Sequence, residues 1–230
     1  ALLQLENAYN RALSGGGSLV LVSGEAGIGK SRLIQDFATR LKGRVLLLTG
    51  AAYPDTHMTP YAPIVEALRP GLLAHRATSS ISTHDLAEVS ILIPEVRLLH
   101  PELPPASAAG QLQARLFEAL FNCLLGLAGR RPALLCLDDL HWADSPTLDW
   151  LIYLGRRLQG RRVLVLGTCR REEAQAMENL RRSLVRQGQL HEVELSGLDE
   201  ASIVQLLENL QGRAPVDRAW AGRLEQITGG

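Results

Sequence analysis

The chain has 230 residues, of which 46% are hydrophobic and 21% charged, a composition typical of a globular protein large enough to bury one α/β core. Lysine plus arginine and aspartate plus glutamate each number 24, so the formal net charge is zero and we expect no direct nucleic-acid binding by this segment. No apolar run reaches the ~20 residues that span a membrane, and no signal peptide precedes the first helix, so we expect no membrane partner. The three cysteines lack metal-ligand spacing and are expected to be reduced, which favours a cytoplasmic protein.

The first predicted elements are a helix, a glycine turn and a buried strand. Residues 2–13 repeat apolar side chains at helical spacing, residues 14–17 form a turn, and residues 19–22 are an apolar run rich in valine. A helix from residue 30 to about 41 follows. Between the strand and this helix lies Gly24-Glu25-Ala26-Gly27-Ile28-Gly29-Lys30-Ser31, which matches the phosphate-loop pattern G-x-x-x-x-G-K-S.

This pattern predicts a loop that binds ATP or ADP together with Mg²⁺. Glycines allow the backbone angles that point successive N–H groups at phosphate, and the following helix adds its free N-terminal N–H groups. Lys30 can reach the β- and γ-phosphates, and the Ser31 hydroxyl can ligate Mg²⁺. The residues predicted to bind the nucleotide are Gly24, Glu25, Ala26, Gly27, Ile28, Gly29, Lys30, Ser31 and Arg32.

The middle of the chain predicts a strand, a helical insertion and a long helix. Residues 44–49 are predicted to form a second strand, whose apolar run at 45–48 is typical of a strand buried on both faces. Residues 53–110 are interrupted by prolines and are expected to form helices in pieces, for example at 64–69 and 85–93. A strong helical stripe of leucine and phenylalanine then runs over residues 112–127.

The third predicted strand, residues 133–137, ends in two carboxylates, Asp138 and Asp139. In a phosphate-loop protein, a carboxylate at the end of a neighbouring strand holds the hydration shell of Mg²⁺, so Asp138 and Ser31 are the predicted metal residues. Asp139 can orient or deprotonate the attacking water, or it can merely cap the turn that follows.

The last third of the chain predicts two more strands that alternate with helices. Helices are expected at 148–158 and 173–187, and strands at 162–168 and 191–195, the latter alternating in polarity as edge strands do. A further helical unit begins at residue 198. Strands that alternate with helices predict a mostly parallel, doubly wound α/β sheet.

Arg170 lies at the end of the fourth predicted strand. In open α/β sheets ligands bind outside the carboxyl ends of strands, and a guanidinium can grip a γ-phosphate in two places. Arg170 is therefore a candidate γ-phosphate sensor. The alternative is that Arg170 and Arg171 are a solvated pair beside Glu172 and Glu173.

Three segments, GEAGIGKSRL, LLCLDDLHWADSPTLDWL and VLGTCRREE, resemble in their order and spacing the STAND branch of AAA+-like P-loop ATPases. The most similar group is the bacterial multidomain regulators of the LuxR type and the ATPase modules fused to cyclases or kinases. The resemblance implies a three-layer α/β/α fold with a five-stranded, mostly parallel sheet of order 5-1-4-3-2. It also implies an ATPase core over 1–197 and the beginning of a truncated helical lid over 198–230.

The resemblance implies roles for individual residues as well. Lys30 and Ser31 would bind phosphate and Mg²⁺, and Asp138 would coordinate Mg²⁺. Asp139 would stand where related ATPases place a catalytic acid, and Arg170 would be the strand-end sensor. Lys30, Asp139 and Arg170 form the predicted catalytic set. His141, Trp142 and Asp144 match the family pattern without an assigned chemistry, and Asp144 or Ser145 is expected to cap the following helix.

The family normally has an adenine-pocket element before the first helix, and it continues past the last residues of this sequence into Asn-Pro and a winged helix. This sequence has neither, so we expect the core of a larger regulator with an impaired nucleotide pocket. The leading hypothesis is a switch module that binds ATP and hydrolyses it slowly. Its expected partners are the other domains of the same regulator, and it is also expected to associate with further copies of itself in a nucleotide-dependent way. A metabolic phosphotransferase and an ATP-dependent nucleic-acid loader are the alternatives; the lack of an Arg-rich lid and the zero net charge argue against them.

Overall fold

The computed structural model describes residues 1–54, 59–74, 78–107, 112–173, 177–198 and 200–210. These residues form one five-stranded sheet with helices on both faces. The strands are β1 (Ser18–Gly24), β2 (Leu46–Ala51), β3 (Ala133–Asp138), β4 (Val163–Arg170) and β5 (Leu190–Glu194). The helices are α1 (Leu2–Leu13), α2 (Lys30–Arg40), α3 (Ala62–Leu72), α4 (Thr83–Val89), α5 (Glu95–Leu99), α6 (Leu112–Ala128), α7 (Ser145–Gly155), α8 (Glu178–Val185) and α9 (Glu200–Leu210).

The sheet has the order β2-β3-β4-β1-β5, and all neighbouring strands are parallel. This is the predicted order 5-1-4-3-2 seen from its other edge, and β4 lies between β1 and β3 as expected. The register pairs Gly24 with Arg170 and Leu137 with Gly167. The phosphate-loop motif, the two aspartates and Arg170 therefore leave the sheet at the same edge.

Two apolar clusters hold the three layers together. On one face α1 and α2 pack against the sheet, and the Tyr9 ring meets the Phe37 ring edge-on with centroids 6.3 Å apart. On the other face the insertion helices, α6 and α7 enclose Trp150, which is fully buried and whose indole N–H donates to the Phe117 carbonyl at 3.2 Å. Both clusters are continuous apolar contacts, so burial of apolar surface is the main stabilising contribution to the fold.

The prediction that β2 is buried on both faces is wrong. Leu48 is buried against the α3 side, but Leu47 is 40% exposed and Thr49 is exposed on the other face. Helix α2 packs over β1, β3 and β4, whereas α3 covers β2 only on the face where Leu48 lies. An apolar run cannot reveal that its strand lies at the edge of the sheet, because the edge position depends on which helix covers it. The prediction that β5 lies at an edge is confirmed.

Residues predicted to form helices in pieces contain α3, α4, α5 and a short 3-10 turn at Thr78–Ser80. The predicted helix at 173–187 is shorter than expected, because α8 begins at Glu178 and residues 174–176 lie outside the described residues. The division at residue 197 and the lid over 198–230 stay predictions, since 211–230 are also outside the described part. Every helix within that part is too short or too polar to traverse a lipid bilayer.

Candidate nucleotide-binding site

The turn from β1 to α2 uses its glycines for two different reasons. Gly27 and Gly29 have φ values of 80° and 100°, the left-handed region that side chains disfavour, and a Cβ on either would meet nothing within 4 Å. At Gly24 a Cβ would lie 2.8 Å from the Leu195 carbonyl oxygen, so the chain that follows β5 leaves no room for a side chain. Backbone conformation therefore selects glycine in the loop, and close packing selects it at the strand end.

Lys30 is the first residue of α2 and is only 7% exposed. Its ammonium donates to the carbonyl oxygens of Gly24 at 3.0 Å and Glu25 at 2.7 Å, which hold the positive charge inside the loop. No side chain caps the N-terminus of α2, and its first turn carries no acidic residue. The free N–H groups of that turn and the Lys30 ammonium are a combination suited to an anion.

A cavity of about 300 Å³ opens over this turn, and we name it the loop cavity. It is lined by Ala26, Gly27, Gly29, Lys30, Ser31, Arg32, Asp139 and Arg170. It thus brings the predicted loop residues together with Asp139 and Arg170. Three of the predicted binding residues do not line it: Gly24 ends β1, the Glu25 carbonyl holds Lys30, and Ile28 packs beside Gly24.

Asp138 lines a different and larger cavity of about 560 Å³, which we name the flank cavity. It lies between α2 and the exposed face of β2 and β3, and it meets the loop cavity at Ser31. Its lining includes Ile34, Gln35, Ala38, Thr39, Lys42, Leu47, Thr49, Ala51, Tyr53, Glu66, Cys136 and Asp138. The two predicted metal residues, Ser31 and Asp138, therefore share a wall of this second cavity.

Thr168 of β4 holds both aspartates, and the sequence reasoning missed it. Its side chain is fully buried, its hydroxyl donates to Asp138 Oδ1, and the same hydroxyl accepts the Asp139 backbone N–H at 2.8 Å. Asp139 has a φ of 53° and begins a 3-10 turn, but its carboxylate makes no capping hydrogen bond to that turn. A polar residue at the end of an otherwise apolar strand was the signal that could have identified Thr168.

His141 connects Arg170 with two carboxylates. Its imidazole is completely buried, and Nδ1 accepts the Arg170 backbone N–H at 3.4 Å and lies 3.8 Å from Asp139 Oδ1. A neutral ring then carries its proton on Nε2, which lies 3.4 Å from Glu173 Oε2 without forming a hydrogen bond. Burial lowers the pKa of His141 and outweighs the opposing effect of the Glu173 and Asp139 carboxylates.

The Arg170 guanidinium is held at the rim of the loop cavity. Its Nη1 donates to Glu173 Oε1 at 3.4 Å, and its Cζ lies 5.8 Å from the centroid of the Trp142 ring. Glu173 therefore contacts both Arg170 and His141. The sequence placed Glu173 at the start of a helix and assigned it no contact.

Asp144 caps α7, as predicted. Its Oδ1 accepts the Thr147 backbone N–H at 2.9 Å, and its Oδ2 accepts the Thr147 hydroxyl at 2.6 Å. The same Oδ2 accepts the backbone N–H of Tyr61, the residue before α3, at 3.2 Å. This carboxylate therefore joins the beginnings of two helices and has no contact with the loop cavity.

The donors present fit a nucleotide with a divalent cation. The loop offers glycine backbone, a helix N-terminus and a buried ammonium, which suit phosphate. Ser31 and Asp138 offer a hydroxyl and a carboxylate, the oxygen ligands that Mg²⁺ takes when it shares its coordination with phosphates and water. Among the described residues no three His, Cys, Asp or Glu side chains gather into a protein-only metal site.

Comparison with protein families identifies the AAA ATPase domain over residues 1–166. Among curated proteins, an uncharacterized protein of Rhizobium meliloti (strain 1021) is 26% identical over 175 residues, which cover 70% of this chain and 17% of that protein. The DNA repair protein RadA of Streptococcus pyogenes is 30% identical over 121 residues, or 41% of this chain and 27% of RadA. The chain therefore spans well under a third of the length of either relative.

Solved structures share the fold at low sequence identity. A Signal Transduction ATPase with Numerous Domains (STAND) protein with a tetratricopeptide repeat sensor, from Pyrococcus horikoshii, matches 98% of this chain and 28% of its own, with a TM-score of 0.52 and 15% identity. The ORC1 protein of Aeropyrum pernix, solved in complex with DNA, matches 96% of this chain and 54% of its own, with a TM-score of 0.53 and 18% identity. These likenesses show an AAA+-like P-loop ATPase fold.

Proposed function

The chain belongs to the AAA ATPase domain family, and on that premise we propose that it is an ATP-binding, slowly hydrolysing switch module of a larger signal-transduction or transcription regulator. The family implies nucleotide binding. The observation that carries the proposal is the loop cavity, in which the buried Lys30 ammonium, the Asp139 carboxylate and the Arg170 guanidinium surround one space of about 300 Å³. The likeness to a STAND protein with a sensor of repeats supports the regulatory part.

The triphosphate is bound by the loop between β1 and α2 and by the N-terminus of α2. Lys30 donates to the β- and γ-phosphates, and the N-terminal N–H groups of α2 donate to the same anion. Arg170 competes for the γ-phosphate against its present partner, Glu173, which contacts it at 3.4 Å. A weak existing pair is easily exchanged for a bidentate contact with phosphate, so Arg170 distinguishes ATP from ADP.

Hydrolysis is the work of Asp139. Its carboxylate lines the loop cavity, orients a water molecule towards the γ-phosphate and accepts a proton of that water as the oxygen attacks phosphorus. The bond between the γ-phosphorus and the oxygen that bridges to the β-phosphate breaks, and ADP and inorganic phosphate leave. Ser31 and Asp138 are the residues that would hold Mg²⁺, which would offset the negative charge of the phosphates. Thr168 keeps Asp138 and the Asp139 backbone in register across β3 and β4.

Slow turnover follows from the length of the acid. Aspartate is one methylene shorter than the glutamate found at this position in many fast ATPases, so it holds the water less well, and misplacement by about 1 Å costs roughly a hundredfold in rate. A switch benefits from a long-lived ATP state, because that state must persist while it contacts other domains of the regulator or a second copy. We place this switch in the cytoplasm.

The test is to incubate the chain with γ-³²P-ATP and Mg²⁺ in buffer that contains no phosphate acceptor other than water. We expect inorganic phosphate to be released in equal amount with ADP, at a rate below about 0.1 s⁻¹, which is slower than the 1–100 s⁻¹ of kinases. Release only after a small-molecule acceptor is added, with the label on that acceptor, would show a phosphotransferase instead. No binding of ATP in any version of the protein would overturn the proposal altogether.

A further inference from the structure

The zero net charge conceals an uneven distribution of cations in the fold. Five arginines lie just before three neighbouring strands, at the amino edge of the sheet. Arg44 precedes β2, Arg130 and Arg131 precede β3, and Arg161 and Arg162 precede β4. We name this group the arginine edge.

Sheet topology brings these five residues together. Leu46, Ala133 and Val163 pair across β2, β3 and β4 and are the first paired residues of these strands, so the three strand beginnings lie side by side. Neighbouring strands are about 4.8 Å apart, which makes the arginine edge roughly 10 Å wide across these strands. Cations separated by up to 118 residues of sequence thus become one surface.

Four of the arginines surround one depression. A pocket of about 210 Å³ is lined by Arg130, Arg131, Arg161 and Arg162 together with backbone and apolar side chains. Gly129 and Gly160, which precede the two arginine pairs, both have positive φ values and line the same pocket. Tight turns therefore hold both pairs around the same space.

The charges of the arginine edge are not balanced locally. All five side chains belong to exposed residues, and within the described part of the chain no carboxylate lies in ion-pair distance of any of them. The Arg161 guanidinium lies 6.0 Å from the centroid of the Phe121 ring, a neutral partner. Like charges gathered in this way repel one another, and an anion that meets several of them relieves the repulsion.

We propose that the arginine edge binds the sugar-phosphate backbone of a nucleic-acid duplex, without base sequence specificity. The cations are all arginine, whose planar guanidinium donates two parallel hydrogen bonds to a phosphate. Phe121 is buried, lies beneath Arg161 and offers no stacking surface, so single-stranded bases are the less suitable ligand. A duplex presents closely spaced phosphates on both strands, which matches a compact cluster of cations.

This surface is separate from the loop cavity. The arginine edge lies at the amino ends of the strands, and the loop cavity lies beyond their carboxyl ends, about 20 Å away along the six residues of β3. The inference therefore goes beyond the proposed ATP switch and does not depend on it. A chain that binds duplex but not ATP, or ATP but not duplex, would separate the two proposals.

The experiment measures binding of a fluorescein-labelled 24-base-pair DNA duplex to the chain by anisotropy at 50 and 200 mM KCl. We expect about four phosphate contacts, and hence about a hundredfold loss of affinity between the two salt concentrations. Arg131→Glu and Arg162→Glu should each weaken binding roughly tenfold and lower the salt slope by about one. Arg131→Gln should have a smaller effect in the same direction.

Arg115→Glu is the matched control, because it changes the net charge equally on an exposed residue near the opposite end of α6. It should bind duplex within about twofold of the parent, and thermal unfolding followed by circular dichroism checks that each variant is folded. An equal loss in Arg115→Glu and Arg131→Glu, or no binding at 50 mM KCl, would overturn the proposal. Displacement of the duplex by poly-glutamate at about a tenth of its charge concentration would assign the surface to an acidic polypeptide. Displacement by inorganic phosphate at the concentration of the duplex phosphates would assign it to single phosphate groups.

Discussion

The loop cavity and the flank cavity meet at Ser31, but they have different origins. The flank cavity is the larger, at about 560 Å³ against about 300 Å³, and it exists because α2 leaves one face of the edge strand β2 uncovered. The loop cavity is bounded by a turn with two glycines of positive φ, by a helix N-terminus and by four charged residues from three separate parts of the chain. The flank cavity is therefore a space where no helix covers the sheet, whereas the loop cavity is a space around which charged groups gather.

We propose that the convergence of charged groups, rather than the volume of a cavity, marks the functional site in this fold. Buried or half-buried charges are costly unless a partner compensates them, so their presence around one small space calls for a ligand. The flank cavity also has charged residues in its lining, namely Lys42, Glu66 and Asp138. Its lining from β2 and the residues after it, however, includes Leu47, Thr49 and Tyr53, which are exposed and uncharged. If this is right, phosphate binding and hydrolysis depend on the loop cavity, and the flank cavity contributes only Asp138 and the shared residue Ser31.

The largest effect is expected at the two aspartates, one lining each cavity. Asp139→Asn should lower single-turnover ATP hydrolysis by about 10²–10⁴-fold and leave ATP bound, because the amide cannot accept the proton of the water. Asp138→Asn should instead weaken the Mg²⁺-dependent part of binding, measured by titrating Mg²⁺ at fixed ATP. Hydrolysis by Asp139→Asn at the parent rate would mean that this residue only starts a turn and that the catalytic acid lies elsewhere.

The next effect is expected at the lysines, again one in each cavity. Lys30→Ala removes a charged donor and should cost roughly 1.5–3 kcal/mol of nucleotide binding, or about ten- to a hundredfold in affinity by calorimetry. Lys42→Ala is the matched control, since Lys42 is exposed and lines only the flank cavity. Equal affinities for Lys30→Ala and the parent would remove the loop cavity as the nucleotide site.

A smaller effect is expected from Thr168→Val, which keeps the shape of the side chain and removes its hydroxyl. The Asp139 N–H and Asp138 Oδ1 each lose a partner, so hydrolysis should fall about tenfold through misplacement, and the free energy of unfolding should fall by about 1–3 kcal/mol. Thr49→Val on the exposed face of β2 should change neither quantity. If Thr168→Val lowers stability and leaves the hydrolysis rate intact, Thr168 is structural only.

The smallest effect is expected from Leu47→Gln in the flank cavity. An exposed side chain far from the loop should change the free energy of unfolding by no more than about 0.5 kcal/mol, and ATP affinity should match that of the parent. A clear loss of ATP affinity with an unchanged thermal transition would contradict the division between the cavities. It would extend the nucleotide site across Ser31.

The sequence predicts the parts of this molecule that depend on local spacing. The phosphate-loop pattern, the helix after it and the helix cap at Asp144 all follow from residues within one or two turns of each other. The strand order came from resemblance to a family, since no local pattern states which strands are neighbours. Given that order, the meeting of Arg170 with the loop follows directly from its pairing with Gly24.

The sequence could not reveal features that depend on which helix covers a strand or on which strands lie side by side. The exposure of Leu47 depends on where α2 ends relative to the sheet, and the bonds of Thr168 depend on β3 and β4 lying side by side. Glu173 looked like the first turn of a helix, whereas the helix begins at Glu178 and the Glu173 carboxylate turns to Arg170 and His141. The Thr168 hydrogen bonds and the His141–Glu173 contact join residues about 30 positions apart, and local sequence spacing does not encode such contacts.

The interior position of β1 in the sheet has a consequence for folding during synthesis on the ribosome. Among the five strands of this sheet β1 comes first in the chain, yet its two hydrogen-bonded neighbours, β4 and β5, are the last two to be synthesised. At the usual 5–20 residues per second, β1 waits on the order of ten seconds with both edges unpaired. In that interval the apolar residues of β1 lack both of their native neighbours, and the pairing of Gly24 with Arg170 can form only after Arg170 has been synthesised.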